Sequence, residues 1–497
     1  MGSVFVRILQ SCYRIGGMSS IDHTFDRKGF TFAAKIFLPV IFLVIAAYFG
    51  FSYAEAYFFP SPTPVETAPA PLASAETVST TTPEHTLAAL TIADVVPAAG
   101  KFIAADLVHM ELYLYQDGVT VAEYPILTKG KPGTPYETPS GGYTVLTKEK
   151  DHYNAGEQVH MPYSMEFYGN YFIHGWPTYN DGTPVASTYS GGCIRLNTDD
   201  AAQVYAFAEK GTSVFVFDTG AATSAPPLVT STNSLPAISA SAYLVADVDT
   251  GDIYAEQNGQ EQVPIASVTK LMTALVANET IMFDHKVTVP RGDLQDIKVA
   301  TDTEPETFLV GDLLYPLLME SNNNIADVVA QYYGTGGFVS WMNSQAKALG
   351  MTSTTFADPS GVSPNDTSTP EDLYRLAVYL ANKKSFVWKI TRTPQKTITA
   401  EDGSSYTFAN FNKFSGSSSF VGGKVGHTTP AQDTMVSVFS MPINGQQRRV
   451  AVIVLGSDDY TSDTQKLVAW FNQAATASVN TACVSCTQPE PNKKIQL

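Results

Sequence analysis

Residues 219–238 hold Pro226-Pro227 among Ser, Thr and Ala residues, and they separate two segments dense in alternating apolar patterns. A stretch this poor in large apolar side chains cannot offset the entropy of ordering its own backbone, so it reads as a linker with separate folding units on either side. A similar stretch at 59–97, rich in Pro, Thr, Ala and Ser, precedes the first unit, and a polar run at 476–497 closes the chain. The expected organisation is an N-terminal cytoplasmic segment 1–30, an apolar segment 31–58, a stalk 59–97, a first globular unit 98–218, the linker 219–238, a second globular unit 239–475 and the tail 476–497. No internal repeat is visible.

The 497 residues, 44% hydrophobic and 15% charged, suffice for two cores. The formal charge of −17 argues against a nucleic-acid partner, because phosphate neutralisation needs a basic face. Cys12, Cys193, Cys483 and Cys486 are too few for a disulfide scaffold. Cys483-Val484-Ser485-Cys486 is a lone CxxC, and His85, His109, His152, His160 and His285 show no metal-ligand spacing, so no metal or cofactor is expected.

Ile36 to Ala54 carry no charge, and the apolar zone reaches back past Lys35 towards Phe30, near the roughly 20 residues that span a bilayer. Arg7, Arg14, Arg27, Lys28 and Lys35 precede the run, which places the N-terminus in the cytoplasm and everything after the run outside it. The expectation is a single-pass membrane anchor with extracytoplasmic globular units. Ala54-Glu55-Ala56 leaves open a cleaved signal peptide, although the apolar run is longer than the core of a usual signal.

In the first unit, the runs Leu112–Tyr115, Tyr124–Leu127, Tyr143–Leu146 and Ser213–Phe217 alternate with turn signals such as Asp117-Gly118 and Pro139-Ser140-Gly141-Gly142, which reads as a β-rich domain with a helix at Asp199–Glu209. Chemistry concentrates between Tyr171 and Leu196. Cys193 is a nucleophile whose thiolate a nearby imidazole would populate, and His174 can be that base. Gly191 and Gly192 allow a sharp turn that would aim amide N–H groups at an oxyanion, and Arg195 offers a fixed cation for a carboxylate.

In the second unit, Ala242–Val248 and Gly251–Ala255 read as a hairpin, and Ser267–Glu279 as a helix with Ser267 and Lys270 on one face of its first turn. Ser321-Asn322-Asn323 breaks a helix pair within Leu313–Val329, and Thr369-Pro370-Glu371-Asp372 opens another helix. Thr434–Phe439 and Val450–Leu455 read as strands, and Thr464–Ala474 as a closing helix. Ser-x-x-Lys alone is a weak pattern; followed in order by Ser321-Asn322-Asn323 and Lys424-Val425-Gly426 it is a strong one.

With Thr138–Tyr143, Met161-Pro162-Tyr163, Ile173-His174-Gly175 and Ser190–Leu196 in view, the first unit resembles the L,D-transpeptidase (YkuD-like) catalytic domain. That resemblance implies that Cys193 attacks a peptidoglycan stem tetrapeptide, expels the terminal D-alanine and passes the acyl group to a neighbouring stem as a 3→3 cross-link. It also implies substrate-binding roles for Gly175, Gly192 and Arg195. Many members have His where this chain has Gly191. Through Pro264–Ala274, Asp358–Gly361 and Gly422–Thr428 the second unit resembles the D-alanyl-D-alanine carboxypeptidases, low-molecular-mass penicillin-binding proteins with a β-lactamase-like α/β (α+β) fold. By that resemblance Ser267 is acylated, Lys270 is its base, Ser321 and Asn323 relay protons and hold the substrate, and Lys424, Gly426 and Thr428 contribute to substrate binding. Two departures weaken the grip on a terminal carboxylate: the usual KTG is Lys424-Val425-Gly426, and no arginine occurs between Gly456 and Gln465.

The reading is therefore a multidomain, membrane-anchored enzyme acting on peptidoglycan stem peptides and acylated by β-lactams. It combines a β-rich cysteine head with a serine D,D-carboxypeptidase head. Water as acceptor in the first head (an L,D-carboxypeptidase), a D,D-endopeptidase in the second, and a second unit that only binds stem peptides remain alternatives.

Overall fold

The β-rich first unit and the mixed second unit expected from the patterning are both present in the computed structural model, which describes residues 92–218, 234–294, 304–443 and 446–484. Both globular segments fall within one compact unit. The apolar run Ile36–Ala54, most of the stalk and most of the linker lie outside the described residues; no described helix is long and apolar enough to cross a membrane.

In the first segment the strands are β1 (Lys101–Asp106), β2 (Glu111–Gln116), β3 (Val119–Pro125), β4 (Gly141–Thr144), β5 (Thr147–Asn154), β6 (Val159–Tyr168), β7 (Tyr171–His174), β8 (Thr178–Tyr179), β9 (Ile194–Arg195) and β10 (Ser213–Phe217). Asp117 and Gly118, at φ 52° and 79°, make the tight turn between β2 and β3, where a two-residue hairpin needs positive φ. One sheet runs β3-β2-β1-β10-β4 and the other β5-β6-β7-β9, with β8 paired to β6. Alternate residues of both sheets, among them Ile103, Leu112, Val214, Met165, Phe167 and Ile173, fill one core. Helix α1 (Thr198–Phe207) adds Ala201 and Val204 to that core; Asn197 accepts the Asp199 N–H, and Asp199 and Asp200 sit at its positive end.

The second segment is built on an antiparallel sheet whose strands are β11 (Ala242–Asp247), β12 (Ile253–Gln257), β19 (Phe420–Thr428), β20 (Gln432–Ile443) and β21 (Gln446–Ser457), in the order β12-β11-β21-β20-β19. Short pairs flank it: β13 (Val263–Pro264) with β16 (Thr367–Ser368), β14 (Lys286–Pro290) with β15 (Pro305–Leu309), and β17 (Gln395–Thr399) with β18 (Ser405–Ala409). The longer helices are α2 (Lys270–Val276), α3 (Val310–Met319), α4 (Asn323–Gln331), α5 (Thr335–Ala348), α6 (Pro370–Asn382), α7 (Phe386–Arg392) and α8 (Tyr460–Val484). Both sheet faces are covered, which explains the unbroken apolar run of β21. Val450, Val452 and Val454 pack with Leu467, Trp470 and Phe471 of α8, whereas Ala451, Ile453 and Leu455 face the other helices. Each such fully buried side chain contributes roughly 1.5–3 kcal/mol. Asp463 ties α8 back to the start of the segment by accepting from Ser239 Oγ (2.7 Å), Ala240 N (2.9 Å) and Ser457 Oγ (2.8 Å).

Several expectations shift. The helix expected over Ser267–Glu279 is a 3-10 turn at Ala266–Thr269, then α2, then a π-helical turn at Ala277–Ile281. The closing helix runs to Val484, into the segment read as a polar tail, because nothing between Tyr460 and Val484 is Gly or Pro. The two segments, joined by a linker in the sequence reading, also share a buried interface. Trp341 and Ala348 of α5 join the core of the first segment. The approach is close because Gly141 has no side chain: a Cβ there would lie 2.6 Å from the Ala348 carbonyl oxygen.

Candidate active sites

In the first segment β7 and β9 run parallel, with Ile173 opposite Ile194 and His174 opposite Arg195. Cys193, just before β9, is thereby brought beside the strand that ends in His174. Gly192 must be glycine: its φ is 119° and a Cβ would sit 2.1 Å from the Tyr171 ring. Gly191 has no such constraint, since a Cβ there would meet only Glu157 Oε1 at 3.7 Å. The sharp turn expected of both glycines thus belongs to Gly192 alone. Its N–H donates to Ser190 Oγ (3.0 Å), which in turn donates to the Cys193 carbonyl (2.6 Å). This amide is already engaged.

His174 is fully buried. Its Nδ1 lies 2.6 Å from the Gly175 carbonyl oxygen, an acceptor, so Nδ1 carries the proton and Nε2 is the basic nitrogen. Nε2 has no hydrogen-bond partner among the described residues. Burial lowers the His174 pKa to about 3, against the opposing Gly175 bond and with help from the Arg195 charge. The Cys193 thiol is pushed up to about 11 by burial, opposed by a Phe172 backbone hydrogen bond and by Arg195. Its Sγ contacts the Asn170 carbonyl oxygen at 3.8 Å. Burial thus works against charge on both the thiol and the imidazole.

Alkylation of Cys193 by iodoacetamide should accordingly be slow near neutrality and keep rising between about pH 7 and pH 10. A rate already level at neutral pH would mean a preformed thiolate and overturn the raised thiol pKa.

Gly175 is closely packed, since a Cβ there would lie 2.9 Å from Thr198 Cα, and its carbonyl orients His174. Arg195 is buried with its guanidinium 5.9 Å from the Trp176 ring centre, and Nε and Nη1 have no partner among the described residues. Leaving such donors buried without an acceptor is costly.

In the second segment the 3-10 turn eclipses positions i and i+3, so Ser267 and Lys270 meet: Lys270 Nζ is 2.9 Å from Ser267 Oγ. Lys270 is fully buried, and its Nζ also donates to Asn323 Oδ1 (2.7 Å) and to the Ser360 carbonyl. Asn323 opens α4, and Ser321 sits in the break before it at φ 61°. Lys424, on the edge strand β19, donates to Ser321 Oγ (3.0 Å) and to the Val425 carbonyl (2.6 Å). Burial, and then the Lys270 charge, push the Lys424 pKa well below the ordinary lysine value, which suits it to pass protons through Ser321. The arrangement is two serine–lysine pairs converging from helix and strand.

The Ser267 turn is wedged in place. A Cβ on Gly426 would lie 2.7 Å from Ser267 N, and one on Gly361 2.0 Å from the Ala266 carbonyl oxygen. Ala266 itself takes φ 49°, a left-handed conformation costing about 1–2 kcal/mol in an L-residue. Thr428 ends β19 and its Oγ1 accepts from Ala431 N (3.3 Å), closing the turn into β20. The sequence reading gave no role to Asp358-Pro359-Ser360-Gly361, yet this loop orients Lys270. Burial works against the Asp358 charge, but hydrogen bonds from Ser360, Gly361 and Ser363 hold its carboxyl below the usual range, and the turn they close presents the Ser360 carbonyl. An Asp-Pro-Ser-Gly turn signal was legible for it.

Residues 100–216 match the L,D-transpeptidase catalytic domain family, and residues 229–459 match the D-alanyl-D-alanine carboxypeptidase family. The two matches lie along the chain in that order. A D-alanyl-D-alanine endopeptidase of Pseudomonas aeruginosa is 34% identical over 31% of this chain and 51% of its own length, so the chain spans about half of that relative. An Escherichia coli D-alanyl-D-alanine endopeptidase is 28% identical over 51% of this chain and 84% of its own, and a Mycobacterium tuberculosis carboxypeptidase is 28% identical over 44% and 75%. Among solved structures, a cefotaxime-bound penicillin-binding protein from Listeria monocytogenes is 30% identical over 48% of this chain and 99% of its own, with a TM-score of 0.41.

Proposed function

We propose that this chain is an exported, membrane-anchored cell-wall enzyme with two acylating heads: a serine D,D-carboxypeptidase and a cysteine L,D-transpeptidase. The observation that carries the reading is the buried Lys270 Nζ, which joins Ser267 Oγ, Asn323 Oδ1 and the Ser360 carbonyl in a chain that also holds Cys193 beside the His174 strand. In the serine head, Ser267 Oγ attacks the penultimate carbonyl of a stem pentapeptide while neutral Lys270 takes its proton. Ser321, backed by Lys424, returns a proton to the departing D-alanine amine, and water hydrolyses the ester to a tetrapeptide. In the cysteine head, Cys193 Sγ attacks that tetrapeptide as its proton passes to His174 Nε2 and on to the next D-alanine leaving. An amine of a neighbouring stem then takes the acyl group from the thioester, giving a 3→3 cross-link. Arg195 holds a substrate carboxylate. The product of one head is the donor of the other, and covalent linkage raises its local concentration.

The test is incubation of the chain with defined penta- and tetrapeptide muropeptides, followed by mass spectrometry. The expected products are free D-alanine, tetrapeptide and then a 3→3 dimer. Hydrolysis without a dimer would point to water as the acceptor in the cysteine head, and no turnover of either substrate would leave only a stem-peptide-binding protein.

A D,D-endopeptidase reading of the serine head is favoured by Val425. It is half-buried on β19, its methyls touch the cluster beneath α8, and no hydroxyl is available there for a terminal carboxylate. For the carboxypeptidase, Val425→Thr should raise pentapeptide turnover by up to about tenfold, the rate equivalent of one hydrogen bond to a charged group. A flat response, with faster cleavage of a D,D-cross-linked dimer by the unsubstituted chain, would establish the endopeptidase instead.

A further inference from the structure

The helix that carries Lys270 does not stop at the serine site. Helix α2 continues directly into the π-helical turn Ala277–Ile281, about 12 Å further along the axis, at the interface with the first segment. A π-helical turn widens the helix and frees backbone groups for outside partners. Here those partners belong to the cysteine head.

Two walls of the Cys193 site lean on this turn and its neighbours. One wall is the loop 130–138. The Tyr136 carbonyl oxygen sits so close to Gly130 and Gly192 that a Cβ on either would lie 2.1 Å or 3.3 Å from it. From the second segment, Asn278 Nδ2 donates to the Pro135 carbonyl (2.9 Å), and Lys384 Nζ donates to the carbonyls of Glu137 (2.8 Å) and Pro135 (3.3 Å). The other wall is the turn between β6 and β7. Asn170 Nδ2 donates to the Thr280 carbonyl (2.6 Å), and the Asn170 carbonyl is the group that Cys193 Sγ touches. Gly169, at φ 51°, allows this approach; a Cβ there would lie 3.1 Å from Thr280 Cγ2.

Lys384 and Glu279 are both fully buried, 3.6 Å apart, with Tyr379 Oη donating to Glu279 at 2.9 Å. A buried ion pair is a poor way to gain stability compared with an apolar contact of equal volume, and it is better suited to fixing one arrangement. What Lys384 fixes is the backbone of the loop behind Gly192.

We propose that Asn278 and Lys384, residues of the serine-containing segment, are positioning residues for the cysteine head, holding the loop 130–138 against Gly192 so that Cys193 keeps its working geometry. This rests on the reading of Cys193 as a nucleophile. The cysteine head is then incomplete without its neighbour, and the linker between them is a covalent bridge over an interface that already sets the site.

The test uses the full chain and the variants Asn278→Ala, Lys384→Met and Lys384→Met/Glu279→Gln. Three rates are read: acylation of Cys193 by a carbapenem by intact mass, alkylation of Cys193 by iodoacetamide, and acylation of Ser267 by a fluorescent penicillin. Carbapenem acylation should fall by about tenfold or more in the single variants, as misplaced reacting groups do. Alkylation should instead rise about threefold or more, because a loosened loop relieves the burial that holds the thiol protonated. Ser267 acylation should stay within about twofold of the unsubstituted chain. The double variant removes both buried charges together and so spares the fold, but it still lacks the Lys384 donors; it should remain slow at Cys193. Unchanged Cys193 rates, recovery in the double variant, or parallel losses at Cys193 and Ser267 would each overturn the proposal. If the unsubstituted chain takes up no carbapenem at Cys193, the transpeptidase reading falls, and the alkylation rates of the variants still decide the positioning role.

Discussion

Lys270→Met should lower acylation of Ser267 by a penicillin by about a thousandfold or more, since base and nucleophile act as one unit. The methionine keeps the length of the stem but offers no proton acceptor to Ser267 Oγ and no donor to Asn323 Oδ1 or the Ser360 carbonyl. Because Lys270 is fully buried, the orphaned acceptors also cost stability, on the order of 1–3 kcal/mol each. Thermal unfolding should be measured beside labelling. Ser267→Ala should remove the penicillin label entirely with little change in stability. Full-strength labelling in Ser267→Ala would remove this residue from the chemistry, and normal labelling in Lys270→Met would remove the lysine as its base.

The second large effect is expected at the other head. Cys193→Ala should abolish 3→3 cross-linking and D-alanine exchange, because without the thiol no thioester can form. His174→Ala should fall nearly as far, on the order of a thousandfold, and the double variant hardly further, since the loss of either member disables the pair. Penicillin labelling of Ser267 should persist in all of these. Cross-linking that survived Cys193→Ala, or a His174 variant close to full activity, would refute the pair. Burial that pushes the thiol up is the reason to expect a strong dependence on His174 as proton acceptor.

The Ser267–Lys270 contact was legible because it is local. Ser267 and Lys270 are three residues apart, and any helical turn brings such residues together, whether α as expected or 3-10 as found. The same locality made the Thr369 cap legible, with Thr369 Oγ1 accepting from Asp372 N. Roles that depend on backbone direction were less legible. Gly175 lends its carbonyl to His174 and Gly192 gives its N–H to Ser190, contacts the sequence did not indicate. Composition cannot say which way a peptide plane faces.

The alternating and unbroken apolar runs, the turn chemistry at Asp117-Gly118 and the order of the motifs determined, from sequence alone, a β-rich first segment followed by a mixed second segment. Only the tertiary structure decided that Lys424 of β19 meets Ser321, that the Ser360 carbonyl orients Lys270, and that Asn278 and Lys384 reach across to the carbonyls behind Cys193. Those contacts join residues far apart in the chain and end largely on backbone carbonyls, which every residue possesses. No side-chain pattern records them until packing brings the segments together.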